Sequence, residues 1–198
     1  MAALLAAMRE PAFPATPTLV ISNRPQAAGL GLAIAAGVPA IVIDHRAFGG
    51  DRGAHEVVID RALRDAGTEI VCLAGYMRLL TPFLVNAWHG RMVNIHPGLL
   101  PAFPGLDTHA RALAAGVKLH GCTVHLVGDS MDEGPILAQA AVPVLPDDTE
   151  ATLAARVLRQ EHRIYPPALA SLATGQAVQS VSDRAALASL LPWEPGVP

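Results

Sequence analysis

The 198-residue chain contains little charge: 16% of its residues are Asp, Glu, Lys or Arg, whereas 52% are hydrophobic. So apolar a chain of this length buries a sizeable core, which excludes disorder over most of it. The 14 basic residues are scattered among 17 acidic ones, for a net charge of −3. Because no basic block follows from this pattern, the sequence gives no electrostatic footprint for a nucleic-acid partner.

Cysteine is scarce as well. Cys72 and Cys122 both lie within apolar runs, which favours two reduced core side chains over a disulfide or a metal pair. Long hydrophobic runs are also lacking. The uncharged stretch 25–43 is interrupted by Pro and Gly, and residues 1–8 lack the basic start of a secretion signal. The sequence therefore predicts a cytoplasmic protein with no membrane partner.

Several motifs that carry chemistry are absent. No His-x3-His or Cys-x2-Cys spacing supports a metal site, so no metal is expected. Gly29-Leu-Gly31 resembles the start of a dinucleotide fingerprint, but the position of its third glycine is occupied by Ile34. Neither a Gly-x-Ser-x-Gly nucleophile elbow nor a P-loop occurs.

What the chain does have is an alternation of short Val- and Ile-rich runs with Ala-rich stretches. The runs predict strands at 18–22, 40–44, 70–74 and 91–95, and the stretches between them predict helices at 27–36, 55–66 and 82–88. Continuous apolar runs are typical of parallel strands that are covered on both faces. The order predicts βαβ winding with right-handed crossovers.

The pattern changes from residue 121. Strands predicted at 123–127 and 136–144 follow each other with only a polar turn between them, so they are expected to be antiparallel. A long helix is predicted over 149–165, ending at Pro166-Pro167. The fold class predicted is thus α/β: a Rossmann-like, mostly parallel sheet flanked by helices, with an antiparallel C-terminal part. We predict one domain over 1–175 and a C-terminal tail over 176–198.

Three polar residues stand out against this background. Asn94 and His96 end an apolar run and are followed at once by Pro-Gly, and Asp132 lies in the polar turn that also ends in Gly-Pro. A single His after a strand is more often structural, but ligands of open parallel sheets bind beyond the carboxyl ends of the strands. An amide to hold an oxyanion, an imidazole to move a proton and a carboxylate to orient it suffice for acyl-type transfer.

With those residues in place, the chain resembles the phosphoribosylglycinamide formyltransferase family. The wording Asn94-Ile-His96-Pro-Gly-Leu-Leu-Pro is highly specific, and further family motifs follow in order at 22–23, 74–80, 104–109, 120–125, 132–135 and 160–166. The similarity covers residues 1 to about 175. Formyltetrahydrofolate deformylase and methionyl-tRNA formyltransferase share the Asn/His/Asp trio but differ at Pro97 and at 104–109.

The resemblance implies transfer of a formyl group from 10-formyltetrahydrofolate to the amine of 5'-phosphoribosylglycinamide in purine biosynthesis (EC 2.1.2.2). Asn94 and protonated His96 would stabilise the developing oxyanion, and Asp132 would orient His96 and keep it protonated. His96 could then pass a proton to the departing folate nitrogen. The implied partners are these small molecules, and the chain is expected to be a monomer or homodimer.

The resemblance also implies the binding residues. Folate is expected against Arg52, Met77, Arg78, Leu79, Leu80, Asn94, Gly128, Asp129, Ser130, Met131 and Asp132, with Arg52 near its glutamate tail. Gln160 and Glu161 are expected at the ribonucleotide, where Glu161 would hold the ribose hydroxyls. Leu158 departs from the pattern, because the family often has Gln there.

The larger departure is at the start. Relatives open with an apolar strand and a Gly-Ser-Asn-type loop that cradles the substrate phosphate, whereas residues 1–8 match the helix after that loop. In a doubly wound sheet such a strand is central, so its loss is expected to leave two neighbours with unpaired edges. Either Met1 is an internal methionine of a longer product, or the chain is a fragment or a non-catalytic folate-binding remnant. A formyltetrahydrofolate deformylase is the remaining alternative.

Overall fold

The structure is a computed structural model that describes residues 1–176. Apart from its first residue, the predicted tail over 176–198 lies outside the described residues. The strands are β1 (Val20–Ser22), β2 (Ala40–Val42), β3 (Val71–Leu73), β4 (Met92–His96), β5 (Leu119–Leu126) and β6 (Ile136–Pro143). The helices are α1 (Ala2–Ala7), α2 (Ala28–Ala35), α3 (Arg52–Asp65), α4 (Pro82–Ala87), α5 (Thr108–Ala114) and α6 (Glu150–Ala173), with a 3₁₀ turn at His45–Phe48.

The strands form two separate sheets. β1 pairs with β2 in parallel, and a four-stranded sheet has the order β3-β4-β5-β6. In the larger sheet β3 and β4 are parallel, whereas β5 is antiparallel to both of its neighbours. The predicted α/β class is confirmed, with parallel strands and helices followed by an antiparallel C-terminal part. Among the described strands, β1 and β3 are not hydrogen-bonded to each other.

One helix boundary was predicted wrongly. α6 begins as expected, with Thr149 accepting from the backbone N–H of Thr152, but it runs through Pro166 and Pro167 to Ala173 instead of ending at residue 165. Each proline removes a backbone donor and strains the preceding turn. The helix continues because the residues that follow, including Leu169 at 2% exposure, are buried in the core. Tertiary packing outweighs the local preference here.

The main core lies on one face of the larger sheet. Val93 and Val124 of β4 and β5 pack there against Leu153 and Val157 of α6, and all four are fully buried. A second cluster around Trp88 and other side chains of α3 and α4 lies near the amino ends of β3 and β4. The opposite face of β4 and β5 carries polar side chains instead. No helix in residues 1–176 is long and apolar enough to cross a bilayer.

Candidate active site

The polar face of the larger sheet is built by alternation along two paired strands. On β4, Asn94 and His96 are two residues apart and therefore point to the same side. β5 is antiparallel to β4 and places His125 opposite Asn94 and Thr123 opposite His96. The register thus gathers four polar side chains on the face that α6 does not cover.

Asp132 reaches this face from the connection between β5 and β6. Its backbone has a positive φ of 59°, and one carboxylate oxygen, Oδ2, lies 3.4 Å from His96 Nδ1. The same oxygen accepts the backbone N–H of Gly105 at 2.8 Å. The other, Oδ1, is 3.7 Å from His125 Nε2. The fold therefore brings together the three residues that the sequence singled out, although Asp132 lies on a different element from Asn94 and His96.

The His96 ring lies between two hydrogen-bond acceptors. Its Nε2 is 2.9 Å from the carbonyl oxygen of Phe103, and its Nδ1 faces the Asp132 carboxylate. The residue is only 4% exposed. A neutral imidazole has one N–H and could satisfy only one of these acceptors, whereas an imidazolium satisfies both. The contacts therefore suit a ring that carries a proton on each nitrogen.

The loop after His96 is fixed by hydrogen bonds from the sheet beneath it. The hydroxyl of Thr123 donates to the carbonyl of Gly98 at 2.7 Å and accepts from the N–H of Leu100 at 3.0 Å. The Gln139 side chain donates to the carbonyl of Leu100 at 2.7 Å. Such bonds hold a site in place before any substrate arrives. Thr123 and Gln139 were not among the predicted site residues.

Gly98 is the point where this loop approaches the His96 ring most closely. A Cβ at this position would lie 2.9 Å from His96 Nε2 and 3.1 Å from the Phe103 carbonyl oxygen. We expect Gly98→Ala to displace the ring and to lower kcat for formyl transfer about 100-fold, the typical effect of a misplacement of about 1 Å. Steady-state kinetics measure the loss.

A matched control is Gly31→Ala in α2, where an added Cβ would meet nothing within 4 Å. That variant is expected to retain activity and to gain about 0.5–1 kcal/mol in free energy of unfolding, because alanine is the better helix former. If Gly98→Ala retained the wild-type kcat, the close approach would have no catalytic importance.

His125 is a site residue that the sequence analysis missed. It was considered only as one of several metal ligands, yet no cluster among residues 1–176 could hold a metal ion. Its Nδ1–H donates to the carbonyl of Leu126 at 2.9 Å, so Nε2 carries the lone pair and accepts from Asn94 Nδ2 at 3.3 Å. Burial lowers the pKa of His125. A neutral His125 thus orients the Asn94 amide. Only the register of β4 and β5 reveals this role.

Two further histidines lie beside the site without hydrogen-bond partners on their inner atoms. His120 is fully buried, with its ring edge-on to Phe103 and His109. Among the described residues, both of its ring nitrogens and Nδ1 of His109 lack a partner. Burial lowers the pKa of His120 to about 4, and burial also lowers the pKa of His109.

These lowered pKa values make the stability of the protein dependent on pH. Between the ordinary histidine pKa of about 6.5 and about 4, the unfolded chain takes up protons that the folded chain does not. The free energy of unfolding should therefore fall as the pH drops through this range. We expect His120→Phe to flatten that slope by up to one proton, about 1.4 kcal/mol per pH unit. Urea unfolding at several pH values measures it. The exposed control, His162→Gln, should keep the slope, and an unchanged slope in His120→Phe would contradict the assignment.

The residues predicted for folate lie on two loops near the trio. Large apolar side chains are exposed there: Met77 at 68% and Leu79 at 59% after β3, and Met131 at 56% beside Asp132. The loops adjoin, because Leu80 packs on the same cluster as Val127. Their other predicted members are Arg78, Gly128, Asp129 and Ser130. Arg52 is exposed at the first position of α3, and no recorded contact of the described chain joins it to the trio.

The residues predicted for the ribonucleotide lie on the other side of β4. Glu161 of α6 lines a cavity of about 230 Å³ together with Gly75, Ile95 and Tyr165. Burial raises the pKa of the Glu161 carboxyl, partly offset by the amino group of Met1. Ile95 lies between Asn94 and His96 in the chain, so this cavity adjoins the trio across a single strand. Gln160 is half-buried one position earlier.

A fold of this kind with an Asn–His–Asp site matches a known family. The model of the formyl transferase family matches residues 1–169. Because the match covers most of the chain, the chain belongs to the formyl transferase family. Its similarity to individual proteins narrows this assignment further.

Phosphoribosylglycinamide formyltransferase of Bacillus subtilis is 38% identical over 170 residues, which are 86% of this chain and 87% of the relative. A crystal structure of the Brucella melitensis phosphoribosylglycinamide formyltransferase is 53% identical, with a TM-score of 0.83 over 91% of this chain and 92% of that one. A trifunctional purine biosynthetic protein of Drosophila melanogaster is 48% identical, but the chain spans only 12% of its length. The predicted phosphoribosylglycinamide formyltransferase family and enzyme class are confirmed.

Proposed function

We propose that Asn94, His96 and Asp132 carry out the reaction of this family, formyl transfer from 10-formyltetrahydrofolate to the amine of 5'-phosphoribosylglycinamide in purine biosynthesis. The observation that supports this most is the position of the His96 ring, held between a carboxylate and a carbonyl beside an oriented amide. The family match independently points to formyl transfer.

The chemistry follows from these contacts. The substrate amine attacks the formyl carbon, and negative charge develops on the formyl oxygen. One N–H of Asn94 is engaged by His125, which leaves the second N–H to donate to that oxygen. The Nε2–H of His96 donates to the same oxygen once the substrate takes the place of the Phe103 carbonyl. Each such donor is worth about 3–4 kcal/mol in the transition state.

Proton transfer completes the reaction. When the tetrahedral intermediate collapses, the C–N bond to the folate breaks, and that nitrogen takes a proton from His96 Nε2. The amine loses its own proton, which returns the imidazole to its starting state. Asp132 stabilises the imidazolium throughout, because its carboxylate faces Nδ1 at 3.4 Å.

The two substrates occupy different hollows in this proposal. Folate lies against the exposed apolar side chains of Met77, Leu79 and Met131, where a flat pterin ring would cover them. The ribonucleotide lies in the cavity of Glu161 and Gly75. The enzyme acts in the cytoplasm as a monomer or homodimer. The two free cysteines, Cys72 and Cys122, support a reducing compartment.

The proposal is tested by following the labelled formyl group with and without the amine acceptor. Label transfer to phosphoribosylglycinamide, with little formate released in its absence, is the expected result. Rapid formate release without the acceptor would instead indicate a deformylase. Folate-analogue binding without transfer and without ribonucleotide binding would indicate a non-catalytic remnant.

A further inference from the structure

The two sheets are separated by an elongated hollow. Its volume is about 1130 Å³, and its walls include residues 18–22 around β1 and 70–74 around β3. The hydroxyls of Thr18 and Thr68 lie 3.1 Å apart and bridge the two sides just before these strands begin. The hollow therefore starts at the amino ends of β1 and β3 and runs between the two strands.

Both strands turn unpaired backbone toward this hollow. In β1, the N–H of Val20 and the carbonyl of Ser22 bond to the β2 side, so the backbone groups of Ile21 between them point the other way. In β3, the N–H of Val71 bonds to Arg91 on the β4 side, so those of Cys72 point away from β4. Two strand edges thus face each other across one gap.

The core is divided at the same place. Val20 packs with Leu5 and Ala33 in one cluster, whereas Val71 and Leu73 pack with Met92 in another. All three residues of β1 and of β3 are only half-buried, unlike β5, which is buried except for its first residue. Apolar side chains and backbone groups on both walls are therefore left without a covering layer.

We propose that this hollow is the binding site of one further apolar β-strand, supplied by polypeptide that leads directly into α1. An inserted strand places β1 and β3 about 10 Å apart, two ordinary strand spacings. It pairs with Ile21 on one side and with Cys72 on the other, and it joins the two sheets into one.

The position of α1 identifies the occupant. Met1, Leu4, Leu5 and Met8 line the hollow, so the start of this helix lies at its rim. A strand that leads into α1, followed by β1, forms a βαβ unit with the strand parallel to β1. Being covalently attached at the rim, such a segment has a far higher effective concentration than any free peptide. The proposal concerns the fold and does not depend on the proposed function.

The test compares extensions of the full 198-residue chain. One variant carries a designed strand of about five Val, Ile and Thr residues and a short Gly-rich linker before Met1. Its matched control has the same length, with two prolines in the strand, because proline cannot pair in a central strand. Hydrogen exchange of the Ile21 and Cys72 amides and the thermal midpoint are measured in both, together with labelling of the Cys72 thiol. The fully buried Cys122 serves as internal reference.

The strand extension is expected to slow exchange at Ile21 and Cys72 about tenfold or more, to protect Cys72 from labelling and to raise the midpoint. The proline control should match the unextended chain. Equal behaviour of both extensions would overturn the proposal. Protection by the strand peptide added free, but not when fused, would overturn the assignment to a segment leading into α1.

Discussion

Replacement of His96 by alanine is expected to lower kcat/KM for formyl transfer by at least about 10³-fold. The variant loses a donor to the developing oxyanion and the group that protonates the folate nitrogen, and general acid catalysis alone contributes about 10²–10⁴-fold. Folate binding should stay within a few fold, because the proposed folate contacts lie mainly on the loops around Met77 and Met131. Stopped-flow kinetics and equilibrium titration with a folate analogue measure the two effects separately.

The matched control is His89→Ala, which alters a histidine in the turn between α4 and β4 and should leave turnover unchanged. Near-normal turnover in His96→Ala would refute the catalytic assignment. A parallel loss of folate affinity would also count against it, since that result would make His96 a binding residue.

Asp132→Asn is expected to lower kcat/KM about 10²- to 10³-fold while preserving the fold. Asparagine keeps an oxygen for the Gly105 N–H and for His96 Nδ1, so the ring stays in place. The negative charge that stabilises the imidazolium is lost, however, and comparable removal of a carboxylate behind a catalytic histidine costs about 10⁴-fold in serine proteases. Because the protonated ring is then less stable, the pH–rate profile should shift toward acid.

The neighbouring carboxylate provides the control for charge alone. Asp129 is exposed in the same turn, and Asp129→Asn should leave the pH–rate profile in place, even if folate affinity changes. An Asp132→Asn variant with a wild-type profile would show that the carboxylate does not act on His96. Wild-type thermal stability in both variants confirms that the comparison is between folded enzymes.

Local sequence signals predicted the parts of the site that lie on regular elements. The apolar run that becomes β4 ends at His96 because Pro97-Gly98 cannot continue it, and alternation places Asn94 on the same face. The turn carrying Asp132 was recognisable from its polar residues between two apolar runs. The family wording linked these pieces, and the fold brings them within hydrogen-bonding range or close to it.

Other features depend on tertiary contacts that no local pattern records. The orientation of Asn94 by His125 requires the antiparallel register of β4 and β5, and the Phe103 carbonyl reaches His96 only through the path of an irregular loop. α6 continues through Pro166 because Leu169 is buried behind it. The division into two sheets follows from the absence of pairing between β1 and β3, which depends on the whole arrangement of strands.

The central claim is that Asp132 acts through His96, with the two side chains functioning as one catalytic unit. A double-mutant cycle on kcat/KM with His96→Ala, Asp132→Asn and the combined variant tests it most directly. Since the carboxylate has nothing to stabilise once the imidazole is gone, the double variant should be about as slow as His96→Ala alone. Losses that simply multiply in the double variant would show that the two residues act independently, and would contradict this account.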